Sequence, residues 1–396
     1  MAEFNPDIIG KQAEVEINDH RFPCHQCGSD MRFAPESGLL ACDHCGATRQ
    51  IGASEGFWNG AELAEIPIQE GLDNELAPAE MEDIRTSQCP NCGATVEFQP
   101  DIHSKDCPFC ATPVVVDTGT HRQIKPKGVL PFGIPEKEAH ERLNNWLGSL
   151  WFAPNGLKEY ARKGRKMNGI YVPYWTYDAA TRSRYRGQRG DVYYETQRVT
   201  VMVDGKPQTR MQQVPKIRWT PVSGRVARNF DDVLVLGATS LPKKYTDALQ
   251  PWDLPALEPY RPEYLAGFRA EAYTVALKDG FTEARQIMDR TIRRDVKFDI
   301  GGDQQQISAL DTDISNVTFK HILLPVWMAA YKYRGQSYRF VINGRTGQVE
   351  GERPYSKWKI AFAVILGLIV AAIVGFVLAG MEGGSINIGG GGIYVN

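Results

Sequence analysis

Residues 24–45 read CHQCGSDMRFAPESGLLACDHC, and residues 89–110 read CPNCGATVEFQPDIHSKDCPFC. All 8 cysteines of the chain lie in these two stretches, as Cys24-x2-Cys27, Cys42-x2-Cys45, Cys89-x2-Cys92 and Cys107-x2-Cys110. Residues 28–41 separate the first two knuckles and residues 93–106 the second two, so one four-cysteine unit occurs twice. A Cys-x2-Cys turn presents two thiolates from one tight loop. Two such loops brought face to face by a short hairpin supply the all-sulfur tetrahedral shell of a structural zinc site. Gly28, Gly46 and Gly93 follow second cysteines, where a residue free to take positive φ lets backbone amides turn toward the sulfurs. The expectation is two zinc ions, one on Cys24, Cys27, Cys42 and Cys45, the other on Cys89, Cys92, Cys107 and Cys110. Disulfides suit a cytosolic address poorly, and the same knuckles could bind rubredoxin-like iron. His25 and His44 sit inside complete four-sulfur shells and read as exposed neighbours. A closed shell leaves zinc no open position for water, so the sites are expected to be structural.

Outward from the ribbons, charge is divided unevenly. Residues 1–120 hold 6 Lys+Arg against 21 Asp+Glu, a net of -15, which leaves +13 for residues 121–396 of a chain whose total is -2. A segment so acidic is repelled by a polyanion, so the ribbons are expected to grip protein rather than nucleic acid. Residues 53–86 read as an acidic linker between ribbon 1 (1–52) and ribbon 2 (87–120). It is either a solvated spacer or a docking segment whose Phe57, Trp58, Ile66 and Ile68 engage a basic partner. The N-terminal residues carry no secretory signal pattern.

Residues 360–380 form 21 positions without a charge, long enough at ~1.5 Å per residue to cross a ~30 Å hydrocarbon layer. Arg353, Lys357 and Lys359 precede this span beside Tyr355 and Trp358, whereas only Glu382 follows it. The positive-inside rule then places the N-terminal side in the cytosol. With a Gly-rich tail of residues 381–396 beyond, the expectation is a tail-anchored, single-pass protein. Ala363, Gly367, Ala371, Gly375 and Ala379 recur every fourth residue, a stripe along which helices could self-associate in lipid.

Residues 121–352 read as an α+β domain. Helices are expected over Pro135–Leu150, Asn155–Lys166 and Thr282–Lys297, with short strands over Ile170–Tyr177, Asp191–Tyr194, Arg198–Val203, Gln212–Trp219 and Val233–Gly237. Further strands are expected near Gln305–Leu310, Asn316–Phe319, Val326–Tyr333, Tyr338–Ile342 and Gln348–Glu350. Asp204-Gly205 marks a hairpin. Val172-Pro173-Tyr174-Trp175 matches Leu324-Pro325-Val326-Trp327, and Tyr185-Arg186-Gly187 matches Tyr333-Arg334-Gly335, which suggests two similar halves. Arg182, Arg184 and Arg186 would share one strand face, with Arg189 near; such a patch is either solvated or meets anionic headgroups or the acidic linker.

Phosphate-loop, nucleophile-elbow and His-Glu-x2-His patterns are absent, and every cysteine is committed to metal, so no enzyme is expected. The ribbons together with GIYVPYWTYDA, FDDVLVLGA, HILLPVWMAAYKY and NGRTGQVEGERPYSKWK resemble a family of bacterial TFIIB-type zinc-ribbon membrane proteins. Its members are often labelled as like the primosomal replication helicase N' (replication factor Y). The resemblance covers nearly the whole chain and implies a zinc-ribbon protein of the bacterial inner membrane, of a kind that looks like a companion of membrane-stress and band-7 scaffold systems. The functional expectation is a membrane-anchored adaptor that recruits a protein partner. The alternative is a nucleic-acid-binding accessory acting through the basic middle domain.

Overall fold

A computed structural model of the chain describes residues 22–52, 63–73, 75–91, 93–97, 104–107, 109, 112–115, 120–151, 167–203, 206–333, 336–352 and 356–382. Small ribbon strands come first: β1 (Arg32–Ala34), β2 (Leu39–Ala41) and β3 (Thr48–Arg49). The pieces β4 (Ile66–Pro67) and α1 (Ile68–Leu72) follow, then β5 (Met81–Gln88), β6 (Thr95–Glu97), β7 (Ser104–Asp106), β8 (Pro113–Val115) and β9 (Thr120–Ile124). The larger domain runs β10 (Gly128–Val129), α2 (Glu136–Ser149), β11 (Asn168–Val203), β12 (Lys206–Leu236), α3 (Lys243–Ala248), β13 (Glu258–Pro259), β14 (Arg269–Ala270), α4 (Leu277–Ile300), β15 (Gln304–Tyr333), β16 (Gln336–Asn343) and β17 (Val349–Gly351). Helix α5 (Lys357–Glu382) ends the described chain. Mixed α+β architecture is therefore what the sequence folds into.

Three strands of 36, 31 and 30 residues, β11, β12 and β15, form the spine, in the order β12-β11-β15 and antiparallel throughout. The short strands expected between residues 170 and 237, and again between 305 and 333, are continuous. Pro207, Pro215 and Pro221 all lie on the edge strand β12, where a missing N–H is tolerated. Gly190 is filled from the opposite strand, since a Cβ there would lie 2.9 Å from both Ile217 and Trp219 side chains. β11 and β12 pair out to Val203↔Lys206, and the turn residues Asp204-Gly205 lie outside the described residues.

α4 lays Leu277, Gly280, Ala284, Met288, Ile292, Val296 and Ile300, spaced three or four apart, on the sheet. The Tyr177 hydroxyl donates to Leu277 O at 2.8 Å. Gly280 permits that approach, because a Cβ would stand 2.5 Å from the Tyr177 hydroxyl oxygen. The expected helix Pro135–Leu150 is α2, whereas the one over Asn155–Lys166 falls outside the described residues.

A local two-fold relates two β-α-β-β units, β10-α2-β11-β12 and β14-α4-β15-β16. Val172 stands directly opposite its counterpart Leu324. β10 pairs parallel with β15 at Ile322 and Leu323, and β14 pairs parallel with β11 at the equivalent Ile170 and Tyr171. Two pairs of hydrogen bonds repeat between the halves. Trp327 Nε1 donates to Ile134 O at 3.0 Å, and Trp175 Nε1 to Val275 O at 2.9 Å. Gly344 N donates to Pro325 O at 2.8 Å, and Gly237 N to Pro173 O at 2.9 Å. The Phe132–Trp327 and Tyr273–Trp175 rings are both 4.9 Å apart. Each unit lends its first strand to the other. The Tyr-Arg-Gly echo does not follow this symmetry: Tyr185 lies in mid-strand, while Tyr333 ends β15.

Part of the stretch expected to be an acidic linker is built into this domain. Ile66 and Pro67 pair with Phe319 and Thr318, and Ile66 and Ile68 are buried in the core with Trp175, Tyr177 and Phe319. Those two isoleucines therefore do not face a partner, and Phe57 and Trp58 lie outside the described residues. α5 is the single described helix long and apolar enough to cross a membrane; its window Trp358–Phe376 has no buried residue.

Candidate metal centre

The four thiols of the first ribbon converge. β1 and β2 pair as Arg32↔Ala41, Phe33↔Leu40 and Ala34↔Leu39, and this hairpin brings the knuckle after Pro23 against the knuckle after Ala41. Cys24 Sγ is 3.5 Å from Cys45 Sγ, Cys27 Sγ is 3.5 Å from Cys42 Sγ, and all four sulfurs lie within 4.8 Å of one another. Four sulfurs at ~2.3 Å from a tetrahedral ion would be spaced by about 3.8 Å. The tetrad can therefore hold a metal ion. His25 and His44 are exposed.

Backbone amides prepare the sulfurs for charge. In each knuckle the cysteine N–H donates five residues on, Cys24 N to Ser29 O at 2.8 Å and Cys42 N to Ala47 O at 2.9 Å, and the glycine N–H donates back, Gly28 N to Cys24 O and Gly46 N to Cys42 O at 2.9 Å each. Gly28 and Gly46 take φ of 74° and 75° to do so. The Ser29 backbone amide and hydroxyl pull the Cys27 thiol down to about 6. The Ala47 amide favours the Cys45 thiolate too, yet burial and the three neighbouring sulfurs outweigh it and push Cys45 up to about 12. Four thiolates cannot coexist here without a cation between them.

The ribbon is docked, not dangling. Phe33 N donates to Ala266 O at 2.9 Å, and the buried Phe33 ring packs edge-on against Tyr264 at 5.4 Å. Of the second set, Cys89 and Cys107 are buried, while Cys92 and Cys110 lie outside the described residues.

A second cluster was not legible in the sequence. Glu65, Asp178 and Asp231 bring carboxylate oxygens within 4.8 Å of one another. Thr318 Oγ1 donates to Glu65 at 2.6 Å, and Lys320 Nζ bridges Glu65 at 3.1 Å and Asp232 at 3.0 Å. Asp178, hydrogen-bonded to Glu65, lowers the Glu65 carboxyl to about 2, while burial and the Glu65 carboxylate raise Asp178 to about 7. One proton shared between them clasps β4 to the sheet. Residues 65 and 178 are too far apart for any spacing pattern to have linked them.

Arg182, Arg184 and Arg186 are exposed while Thr181, Ser183 and Tyr185 are buried, so the arginines do share one face; Arg184 pairs with Asp311 at 3.0 Å.

No protein-family model and no solved structure matches the chain. The chain is similar to the uncharacterized protein YdjG of Bacillus subtilis (strain 168), at 25% identity over 344 residues, 86% of this chain and 92% of that protein.

Proposed function

We propose that this chain is a membrane-anchored adaptor or scaffold of the bacterial inner membrane, whose cytosolic zinc ribbons recruit a protein partner to the membrane face. The carrying observation is a four-thiolate shell fixed to a folded domain that ends in an unburied apolar helix. An all-sulfur shell suits zinc, and a closed shell suits a structural role. A second zinc on Cys89, Cys92, Cys107 and Cys110 is supported by geometry that repeats the first. The residue before each knuckle pairs with the residue six beyond its first cysteine: Pro23↔Asp30, Ala41↔Thr48, Gln88↔Thr95 and Asp106↔Pro113. Cys89 N donates to Ala94 O, Gly93 N to Cys89 O and Cys107 N to Thr112 O, as in the first ribbon. Lys359 and Trp358 at the near end of α5 suit a cytosolic interface. Membrane-stress or band-7 scaffold proteins are the partners this reading favours. The test is affinity capture of the tagged full chain from detergent extract, with and without Cys27→Ser. A partner held by the wild type and lost with the metal supports the adaptor; identical co-purifying proteins in both overturn recruitment by the ribbons.

The exposed face of Arg182, Arg184 and Arg186 favours a second reading, a nucleic-acid accessory. It requires DNA binding that weakens steeply with salt, by roughly one power of concentration per phosphate contacted.

A further inference from the structure

The β11–β12 hairpin outruns its sheet. β15 pairs with β11 only as far as Gly190↔Gln304, whereas β11 and β12 continue together from Asp191↔Arg218 to Val203↔Lys206. At ~3.3 Å per residue this two-stranded arm is roughly 40 Å long. A two-stranded ribbon is marginal in water by itself. Val192, Tyr193, Tyr194, Thr196 and Met211 are exposed on it, Tyr194 by 65% and Met211 by 64%.

Its two edges are built differently. Val192 N donates to the carboxylate of Asp303, immediately before β15, at 2.7 Å, and Asp303 N donates to Gly190 O at 2.9 Å. Even-numbered residues of β11 therefore turn their backbone groups away from β12, and by antiparallel alternation their partners on β12 turn outward too. Pro207 faces Met202, Pro215 faces Tyr194 and Pro221 faces Gln188, so all three prolines of β12 fall at outward positions. They leave the ladder to β11 intact and blunt the outer edge of β12 against further pairing. The β11 edge has no such protection: Tyr194, Thr196, Arg198, Thr200 and Met202 point N–H and C=O outward, and among the described residues no strand pairs with them. One edge is closed and the other is left open.

We propose that the open edge of β11 pairs antiparallel with the same edge of a second copy of this chain, about a two-fold axis at Thr196. In that register Thr196 meets its own copy, Tyr194 meets Arg198, Tyr193 meets Val199 and Val192 meets Thr200. These are a hydroxyl pair, a cation–aromatic pair, an aromatic–β-branched pair and a β-branched pair, with no like charges opposed. Centring on Glu195 or Arg198 would oppose identical charges instead. Thr196 is an outward residue, so the central pair exchanges two backbone hydrogen bonds and the two Tyr194–Arg198 pairs beside it bring the total to about six, while Val192 N–H stays on Asp303. Two marginal ribbons become one four-stranded sheet, with a self-complementary contact of the kind closed dimers use.

Disulfide trapping in the full-length, metal-loaded chain in detergent tests this. Thr196→Cys places two Cα atoms about 5.5 Å apart across the axis, within disulfide reach. Gln213→Cys, opposite Thr196 on β12, places them about 14 Å apart. Mild oxidation should give at least a five-fold greater yield of covalent dimer from T196C than from Q213C or wild type. A mixture of Tyr193→Cys and Val199→Cys chains should cross-link as a heterodimer. Adding Arg198→Pro to T196C copies the natural blunting of β12 without touching the β11–β12 ladder, and should abolish the cross-link while metal content and fluorescence stay unchanged. Cross-linking of T196C no greater than that of Q213C, or surviving R198P, overturns the proposal. Neither result bears on the ribbons, so this test and the adaptor reading can fail separately.

Discussion

Replacing Glu271 with glutamine should stabilise the domain by an amount that grows with pH. Glu271 is 2% exposed, and burial pushes its carboxyl up to about 8, opposed by the Ser240 hydroxyl that donates to it at 2.8 Å. Among the described residues its other oxygen has no partner. Unfolded, the same carboxyl titrates near 4.5. The native state thus keeps a proton that the unfolded state releases, so the contribution to stability is fully present below about 4.5 and declines as pH rises through about 8. At about 1.4 kcal/mol per pH unit, the loss accumulated by pH 8 is about 4 kcal/mol. Glutamine keeps the shape, accepts the Ser240 bond and has no proton to lose. Urea unfolding of both proteins in the same detergent, followed by tryptophan fluorescence, should give similar stabilities at pH 5 and a gap of a few kcal/mol at pH 8. A gap that stays constant across that range would refute the reasoning. The local two-fold offers an independent check, because Glu271 occupies the place that buried Leu130 takes in the other half: their N–H groups donate to the equivalent Tyr171 and Leu323 carbonyls. Glu271→Leu should therefore fold, and should also lose the pH dependence.

Cys27→Ser should lower the metal content by one ion per chain, read by elemental analysis, and speed hydrogen exchange at Phe33 N–H, whose bond to Ala266 O fastens the ribbon. Asp178→Asn should remove a pH effect at β4. In the wild type, ionisation of Asp178 near pH 7 sets two carboxylates against each other, so exchange at Ile66 should accelerate above pH 7 beyond the intrinsic rate, and in the variant it should not. A chain ending at Arg353 should be soluble without detergent, since the apolar window begins at Trp358. Gly367 and Gly375 have open space around them. The double change to Ile should lower a transmembrane association reporter if the small-residue stripe packs against a second copy, while Leu368→Ile should leave it unchanged.

The metal centre was legible because its chemistry is local: Cys24 and Cys45 are 21 positions apart, and spacing alone states the knuckle geometry. Helix α4 was legible because Ala284, Met288, Ile292 and Val296 repeat on one face. The length of the strands was not. Pro215 and Pro221 weaken any local strand pattern, and only their place on the outer edge of β12 explains why the strand runs through them. The role of residues 65–72 was hidden for another reason. Ile66 and Ile68 are two apolar residues in an acidic stretch, and the partners that bury them, Trp175 and Phe319, stand more than 100 and 250 positions away. The carboxylate clasp depends on that same long-range pairing.

The exchange of first strands between the two halves also sets the order in which the molecule can be made. Val129 pairs with Leu323, 194 residues later, and at synthesis rates of ~5–20 residues per second β10 waits roughly 10–40 seconds for its partner. The four thiols of the first ribbon lie within 22 residues, so this unit can close long before Ala266 exists to receive it. During that interval β11 has β12 on one side from Tyr174 to Val203, and the edge that later receives β15 is still open. A ribosome stalled between residues 236 and 304 would therefore display the most adhesive species this chain ever forms, and crowded ribosomes on one message would bring several such edges together.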